Sequence, residues 1–578
     1  MPATQIYKTP GVYIAELPAF PPSVVGVATA IPVFVGYTEQ ALVGGKPVIG
    51  KPISISSLAA YEEVFGKGFS AVFNLKDVTP AASPGPQLAD APAHDPDDYD
   101  FSVLDTSVSP PVMKYFELTA SGGEVPAPLP PPEAETISFI SGTGPVEDPA
   151  PDQPRFNLYN SMRLFYDNGG GDCYVVSAGT YADSAGNVGS VAAQPLLDGL
   201  TAASQQVGPT MIVVPDAVLL PPADPDADEP WKSDDFAKVA KAMLTQASTL
   251  QDRIAILDVY GSQYVNTSDH PEADLPAVIE RFYEDVGGDG LSYGAAYFPF
   301  LDTTVVPLSD VTYQNIDSSN GYLQNILRWQ NLALNAGTAR YEVVDNYISQ
   351  IPDAMTAAEV TTLNQNLLAA LPILKTMELQ VIAKTDVLPP SGAMAGVYTR
   401  VDSASGVWNA PANVTLASVA KPTTRLNNKD QEDLNVPVNG KAVDALRAFP
   451  GRGTVVWGAR TLDGNSPDFR YVQVRRTLIY LEQSIKAALE PFVFAANTGQ
   501  TWATVVSMVS GFLTGVWSRG GLMGATPKDA FSVACGVGST MTGTDVLDGY
   551  MIVQVTVSLI RPAEFIELTF KQTMQGVG

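Results

Sequence analysis

Three aspartates, Asp216, Asp258 and Asp302, each follow a short apolar run: "TMIVVPD", "RIAILDVY" and "GAAYFPFLD". Carboxylates at the C-terminal edge of a parallel sheet are where α/β enzymes hold divalent metals. This is the chain's best case for catalysis. The competing reading is turn chemistry, because Asp after a strand often closes a turn or caps a helix. No lysine, Ser/Thr or second acid stands beside the three in a matching motif, so turn chemistry is preferred and a metal-dependent enzyme is the alternative.

Other candidates are weaker. In "GKPVIGKP", Gly45, Gly50 and Lys51 fall at phosphate-loop spacing, but Pro52 stands where Ser or Thr must reach the metal. A glycine-rich hairpin is the plainer reading. The glycines of "GGGDC" precede a strand, the wrong order for a dinucleotide fingerprint. His94 and His270 sit in acidic loops without a ligand partner at metal spacing, which leaves no Ser-His-Asp or Cys-His arrangement. The expectation is no catalytic residue, no metal and no cofactor. Cys173 and Cys535 are far apart in sequence and read as reduced core residues.

The elements around these residues indicate α/β architecture, α+β overall. A chain of 578 residues is too long for one core, and two to four domains are expected. The formal charge of −28 argues against nucleic acid and anionic membrane surfaces as partners. No apolar run reaches the ~18 residues of a membrane helix. "MPATQIYKTP" lacks a basic n-region and an apolar h-region, so the expectation is no signal peptide and assembly in a cytoplasm.

Along the chain, residues 1–25 form a strand-like arm and 26–70 the first part of a discontinuous core domain. Residues 71–154 are an acidic, Pro-rich surface insertion, with small strands expected at "VMKYFELTA" and "TISFI". Residues 155–304 alternate strand- and helix-length segments, favouring a parallel sheet with right-handed crossovers; Ser233 is a plausible N-cap. Residues 305–390 are a second, partly helical insertion. Residues 391–562 complete the core. There Val474, Leu478, Leu481 and Ile485 mark one helix, and Trp502, Val505, Val509, Phe512 and Val516 another. Thr526, Pro527 and Asp529 are a helix-start signature.

Both ends are strands with unusual faces. Between Pro10 and Pro18, Val12 and Ile14 point one way, while Tyr13, Ala15 and Leu17 point the other. Near the C-terminus Val553, Val555 and Val557 alternate with polar residues. After Arg561–Pro562 the parity flips to Ile566, Leu568 and Phe570, which places residues 563–578 in a different sheet environment. A strand apolar on both faces must be buried by something, and a lone strand cannot hold itself together.

Several segments resemble contractile tail sheath proteins. They are the opening stretch running into "SVVGVATAIPVFVGYTE", then "YNSMRLFYDNGGGDCYVVSAG", "LNNKDQEDLNVPVNGKAVDALRAFPGRGTVVWGARTL", "YVQVRRTLIYLEQSIKAALEPFVF", "GVWSRGGLMGATPKDAF" and "IRPAEFIELTFKQTM", in the family's order. The resemblance implies a structural subunit of a contractile injection machine: a phage tail, a tailocin or an extracellular injection system. Subunits of that family stack as hexameric rings around an inner tube and contract to drive it through a target envelope. Self-association through arm strand exchange is then expected at Tyr7, Pro10, Val12, Tyr13, Ile14 and Leu17, and at Arg561, Pro562, Phe565, Ile566, Leu568 and Phe570. The implied partners are other copies of the chain, an inner tube protein, and baseplate and cap proteins. A sheath paralogue at baseplate or cap is the alternative within the family. The implied particle is either released or membrane-anchored, without direct membrane insertion. The two insertions match no pattern of the family.

Overall fold

The computed structural model describes residues 24–77, 101–105, 112–120, 139–141, 156–182, 188–223, 229–265, 272–319, 321–353 and 355–565. The chain divides into two compact units: Thr29–Arg475, here the central unit, and Met1–Ala28 with Arg476–Gly578, the terminal unit.

The central unit is built on one eight-stranded sheet. Its strands run in the order 453–456, 444–449, 294–298, 254–258, 211–213, 32–38, 173–180 and 53–55. All inner pairings are parallel, and each edge strand is antiparallel to its neighbour. Pro32–Thr38, Ile254–Asp258 and Gly294–Phe298 are buried along their whole length. This explains why they read as unbroken apolar runs: helices cover both faces. On one face Phe34 meets Phe165 of the helix Leu158–Asp167, with ring centroids 5.2 Å apart. On the other, Val35 lies against Gly199 of the helix Ala193–Ser204, where a Cβ would overlap the valine.

The helix Ser391–Ser405 packs beside Leu158–Asp167. Cβ atoms at Gly392 and Gly396 would collide with the backbone of Ser161 and Phe165, so glycine one turn apart is what lets the two helices touch. The strand pair 444–449 and 453–456 closes the sheet that strands from 26–70 and 155–304 begin. The boundary expected at residue 391 therefore does not fall at an edge of this sheet.

The two insertions share one core. The first contributes an antiparallel sheet of Phe73–Asp77, Val112–Ala120, Phe101–Asp105 and Phe139–Ser141. The second contributes the helices Tyr322–Asn335, Ala339–Ser349, Ala357–Ala370 and Pro372–Thr385. Phe73, Leu75, Phe101, Phe116 and Leu118 from the sheet are buried with Tyr322, Leu323, Ile326 and Trp329 from the helices. Asn315 fastens the second insertion to the first by donating to Ser70 Oγ and Ala71 O. At the neck, Asp386 accepts from Thr303 Oγ1 and from the backbone N–H groups of Val305 and Val306.

In the terminal unit, the helix Gly499–Ser518 buries Val505, Met508, Val509, Leu513 and Val516. Phe512 meets Tyr480 at 6.0 Å between ring centroids, and Val27 N–H donates to Ser484 Oγ, which ties the N-terminal segment to the same body. Thr526 and Asp529 form a reciprocal capping box with Pro527 in the first turn, as the sequence predicts.

Phe116 is fully buried, stacked on Phe101 and edge-on to Tyr322. Phe116→Ala should destabilise this body by about 3–5 kcal/mol. Hydrogen exchange should rise in both the 112–120 strand and the 322–335 helix, because one core serves both insertions. A rise confined to the strand would contradict that unity.

Candidate functional site

The sheet's carboxyl edge is the first place to look for chemistry. Its strand order reverses around Pro32–Thr38, which lies between 173–180 and 211–213, two strands that follow one another along the chain. Open α/β sheets bind ligands in the crevice beyond such a point. Here Asp216 occupies it. Its carboxylate accepts from Tyr37 N at 2.7 Å, Asn157 N at 2.6 Å and Leu158 N at 3.2 Å. The helix Leu158–Asp167 has no side-chain cap from its own N-cap residue, Asn157. Asp216 therefore satisfies N–H groups that the helix leaves unpaired and sets a negative charge at the positive end of its dipole. Gly36 belongs to the same arrangement, because a Cβ there would strike the carboxylate.

Asp258 repeats the device one strand along. It accepts from Ser391 N at 2.7 Å and Ser391 Oγ at 2.5 Å. Ser391 opens the helix Ser391–Ser405, which also lacks a side-chain cap of its own. Asp302 does not belong with these two. It lies in the antiparallel strand Leu301–Thr303, opposite Lys421 and 3.4 Å from its Nζ, and does not end a parallel strand as the sequence reading had it. The run "GAAYFPFLD" is broken: Gly294–Phe298 stays in the parallel sheet and Leu301 begins a separate one. Capping chemistry thus accounts for Asp216 and Asp258, and a cross-strand ion pair with Lys421 for Asp302. Among the described residues no three His, Cys, Asp or Glu side chains are grouped to hold a metal ion. His94 and His270 lie outside the described residues.

The phosphate-loop candidate is a hairpin, Leu42–Val43 against Lys46–Pro47, turning at Gly44 and Gly45, both with positive φ. Cys173 is buried, whereas Cys535 is only half-buried. Among the described residues no single helix is long and apolar enough to cross a membrane.

The terminal unit offers a different kind of site. Phe531–Ala534 pairs antiparallel with Gln554–Val557, and the sheet they form has only these two strands among the described residues. Val555 and Val557 are half-buried while Gln554 and Thr556 are exposed, matching the alternation in the sequence. Two strands leave two outer edges, each a row of backbone donors and acceptors able to pair with an added strand. Arg561, Pro562 and Phe565 lie at the end of the described chain, and Phe565 is 76% exposed. Ile566, Leu568 and Phe570, and all six N-terminal arm residues (Tyr7, Pro10, Val12, Tyr13, Ile14 and Leu17), lie outside the described residues. One feature escaped the sequence reading: Phe494 is fully exposed with φ of 67°, a left-handed backbone that a bulky aromatic rarely adopts. No pattern in "EPFVFAANTG" signals it, since a helix stripe and an exposed ring look alike in one dimension.

Residues 465–573, which take in this whole strand pair, match the family described as phage tail sheath C-terminal domain. A tail sheath protein of Vibrio phage KVP40 is 24% identical over 187 residues, 32% of this chain. The matched stretch spans only 26% of that phage protein's length. The fold of the whole chain is that of solved sheath proteins. The helical sheath of the anti-feeding prophage in its contracted state matches with a TM-score of 0.53 and 23% identity, over 98% of this chain and 100% of that one. The contracted sheath of an extracellular contractile injection system, PVC, gives 0.51 and 22%, over 99% of each chain. A chain of the anti-feeding prophage baseplate gives 0.52 and 23%, over 98% of this chain and 100% of that one.

Burial raises the carboxyl of Asp216 to about 6 and that of Asp258 to about 7, against the pull of the hydrogen bonds each accepts. Asp285 and Glu378, also buried, are raised to about 7. All four take up protons more readily folded than unfolded. Their contribution to stability is therefore fully present near the unfolded value of about 4 and lost as pH rises through about 6 to 7. The denaturant midpoint of the central unit should climb as pH falls from about 8 to about 5.5. Asp258→Asn should flatten part of that slope. A midpoint that falls over this range would contradict the assignment.

Proposed function

We propose that this chain is the sheath subunit of a contractile injection machine. Copies stack as hexameric rings around an inner tube and contract to drive it through a target envelope. The observation that carries the reading is the sheet of the terminal unit, which has only two strands among the described residues and lies within the segment that matches the phage tail sheath C-terminal domain. An edge strand grips an added strand through main-chain hydrogen bonds and selects it through side-chain pockets. The N-terminal arm around Tyr7, Val12, Tyr13, Ile14 and Leu17 and the C-terminal arm from Phe565 through Phe570 are the strands proposed to fill those edges in neighbouring copies.

Head-to-tail exchange of this kind does not close on itself and builds helices, not discrete oligomers. Contraction is then relaxation between two packings of the same subunits, a bistable change needing no bound nucleotide. The role is structural and non-enzymatic. The similarity over nearly the whole chain to sheath proteins of the anti-feeding prophage and of PVC favours an extracellular injection system over a phage tail. Assembly would take place in a bacterial cytoplasm, with baseplate and cap proteins at the two ends of the sheath. A second reading, a paralogue seated at the baseplate, is favoured by the equal similarity to an anti-feeding prophage baseplate chain.

Negative-stain microscopy of the purified full-length chain separates the two. The sheath subunit should form helical tubes with cogwheel cross-sections unaided; the paralogue should give rings or small particles until partners are added. Deleting residues 1–20 should leave a folded monomer that builds no tubes, and tubes of normal length from that truncation would remove the arm from the mechanism.

A further inference from the structure

Charge is divided unevenly between the two units. The central unit holds 26 Lys and Arg against 53 Asp and Glu, while the terminal unit holds seven against eight. Of the net −28, all but one charge thus belongs to the central unit. No charged residue lies between Glu490 and Arg519, between Asp529 and Asp545, or between Asp548 and Arg561.

Within that uncharged sequence the terminal unit exposes large apolar side chains: Phe494 stands fully in solvent, and Val493 and Tyr550 are more than half exposed. Leu547, also more than half exposed, lies between Asp545 and Asp548. The loop carrying Phe494 is braced. Asn497 Nδ2 donates to Tyr550 O at 2.9 Å, Trp502 Nε1 donates to Asn497 Oδ1 at 2.7 Å, and Thr501 Oγ1 donates to Ala496 O. The loop and the turn after Asp545 are thereby held together, and Phe494 is presented on a backbone conformation that disfavours it. A hydrogen-bonded loop that carries an exposed aromatic and no charge from Pro491 to Ser518 has the composition of an interface centre.

We propose that this patch is a contact between copies of the chain, distinct from the strand edges, and that the charge of the central unit opposes its formation. The proposal rests on the sheath-subunit reading. A basic partner would be drawn to the central unit; a second copy, itself carrying −28, meets the least repulsion through the terminal unit. The sign of the salt dependence follows. Screening weakens repulsion between central units and leaves an apolar contact intact, so association tightens as salt rises. A charge-driven partner would give the opposite sign.

The test is sedimentation and microscopy of the full-length chain at about 20 mM and about 500 mM salt, which moves the screening length from roughly 20 Å to under 5 Å. The critical concentration for assembly should fall by about tenfold or more at the higher salt. Phe494→Asn removes the ring and installs a residue that accepts the left-handed backbone more readily. It should leave folding stability unchanged or higher while raising the critical concentration by about tenfold. Leu547→Ser provides a second variant at an exposed site and should act in the same direction. Assembly that weakens with salt, or is unmoved by both substitutions, overturns the proposal and leaves the sheath reading standing. A wild-type chain that does not self-associate at either salt overturns both.

Discussion

A single buried carboxylate, that of Asp216, meets three backbone N–H groups where the central sheet reverses its strand order. Much of the central unit depends on that contact. It joins the end of the Pro32–Thr38 strand to the start of the Leu158–Asp167 helix, two segments separated by the whole first insertion. An α/β sheet ordinarily keeps this crevice for a ligand, and a helix N-terminus is a ready anion site. Here the anion is part of the chain. Asp258 does the same at the Ser391–Ser405 helix, so the two helices packed together on one face of the sheet both take their caps from its strand ends.

Which parts of this were legible in the sequence follows from the range of the interactions. The parallel strands were readable because strands buried on both faces must be apolar throughout, and the Thr526 capping box because its partners lie three residues apart. The three aspartates stood out correctly as unusual. That Asp216 and Asp258 are helix caps was only one of two readings, since their partners lie 58 and 133 residues from them in sequence or farther. Asp302 was misplaced because a two-residue break, Pro299–Phe300, separates the parallel strand from an antiparallel one, and an apolar run does not record a change of sheet. The exposed Phe494 was invisible for a related reason: hydrophobicity predicts burial until a backbone reversal turns a side chain outward.

The two units solve different physical problems. The central unit builds its own eight-stranded sheet and buried cores, and it carries all but one of the chain's net negative charges. The terminal unit has, among the described residues, a two-stranded sheet, a marginal structure when isolated, and it exposes Phe494, Leu547 and Tyr550. Completion from outside is the common explanation of both features, and the match of residues 465–573 to the phage tail sheath C-terminal domain gives that completion its context.

The shared core of the two insertions has a consequence for how such chains can vary. Phe73, Phe101 and Phe116 come from one excursion, Tyr322 and Trp329 from another more than 180 residues on, and neither set is covered without the other. Losing either excursion alone would bare an aromatic surface; losing both would leave the central sheet and its helices closed. Size variation among proteins of this build should accordingly come in one paired step, with truncated forms lacking both excursions together, so that what looks like two independent acquisitions is inherited as a single unit.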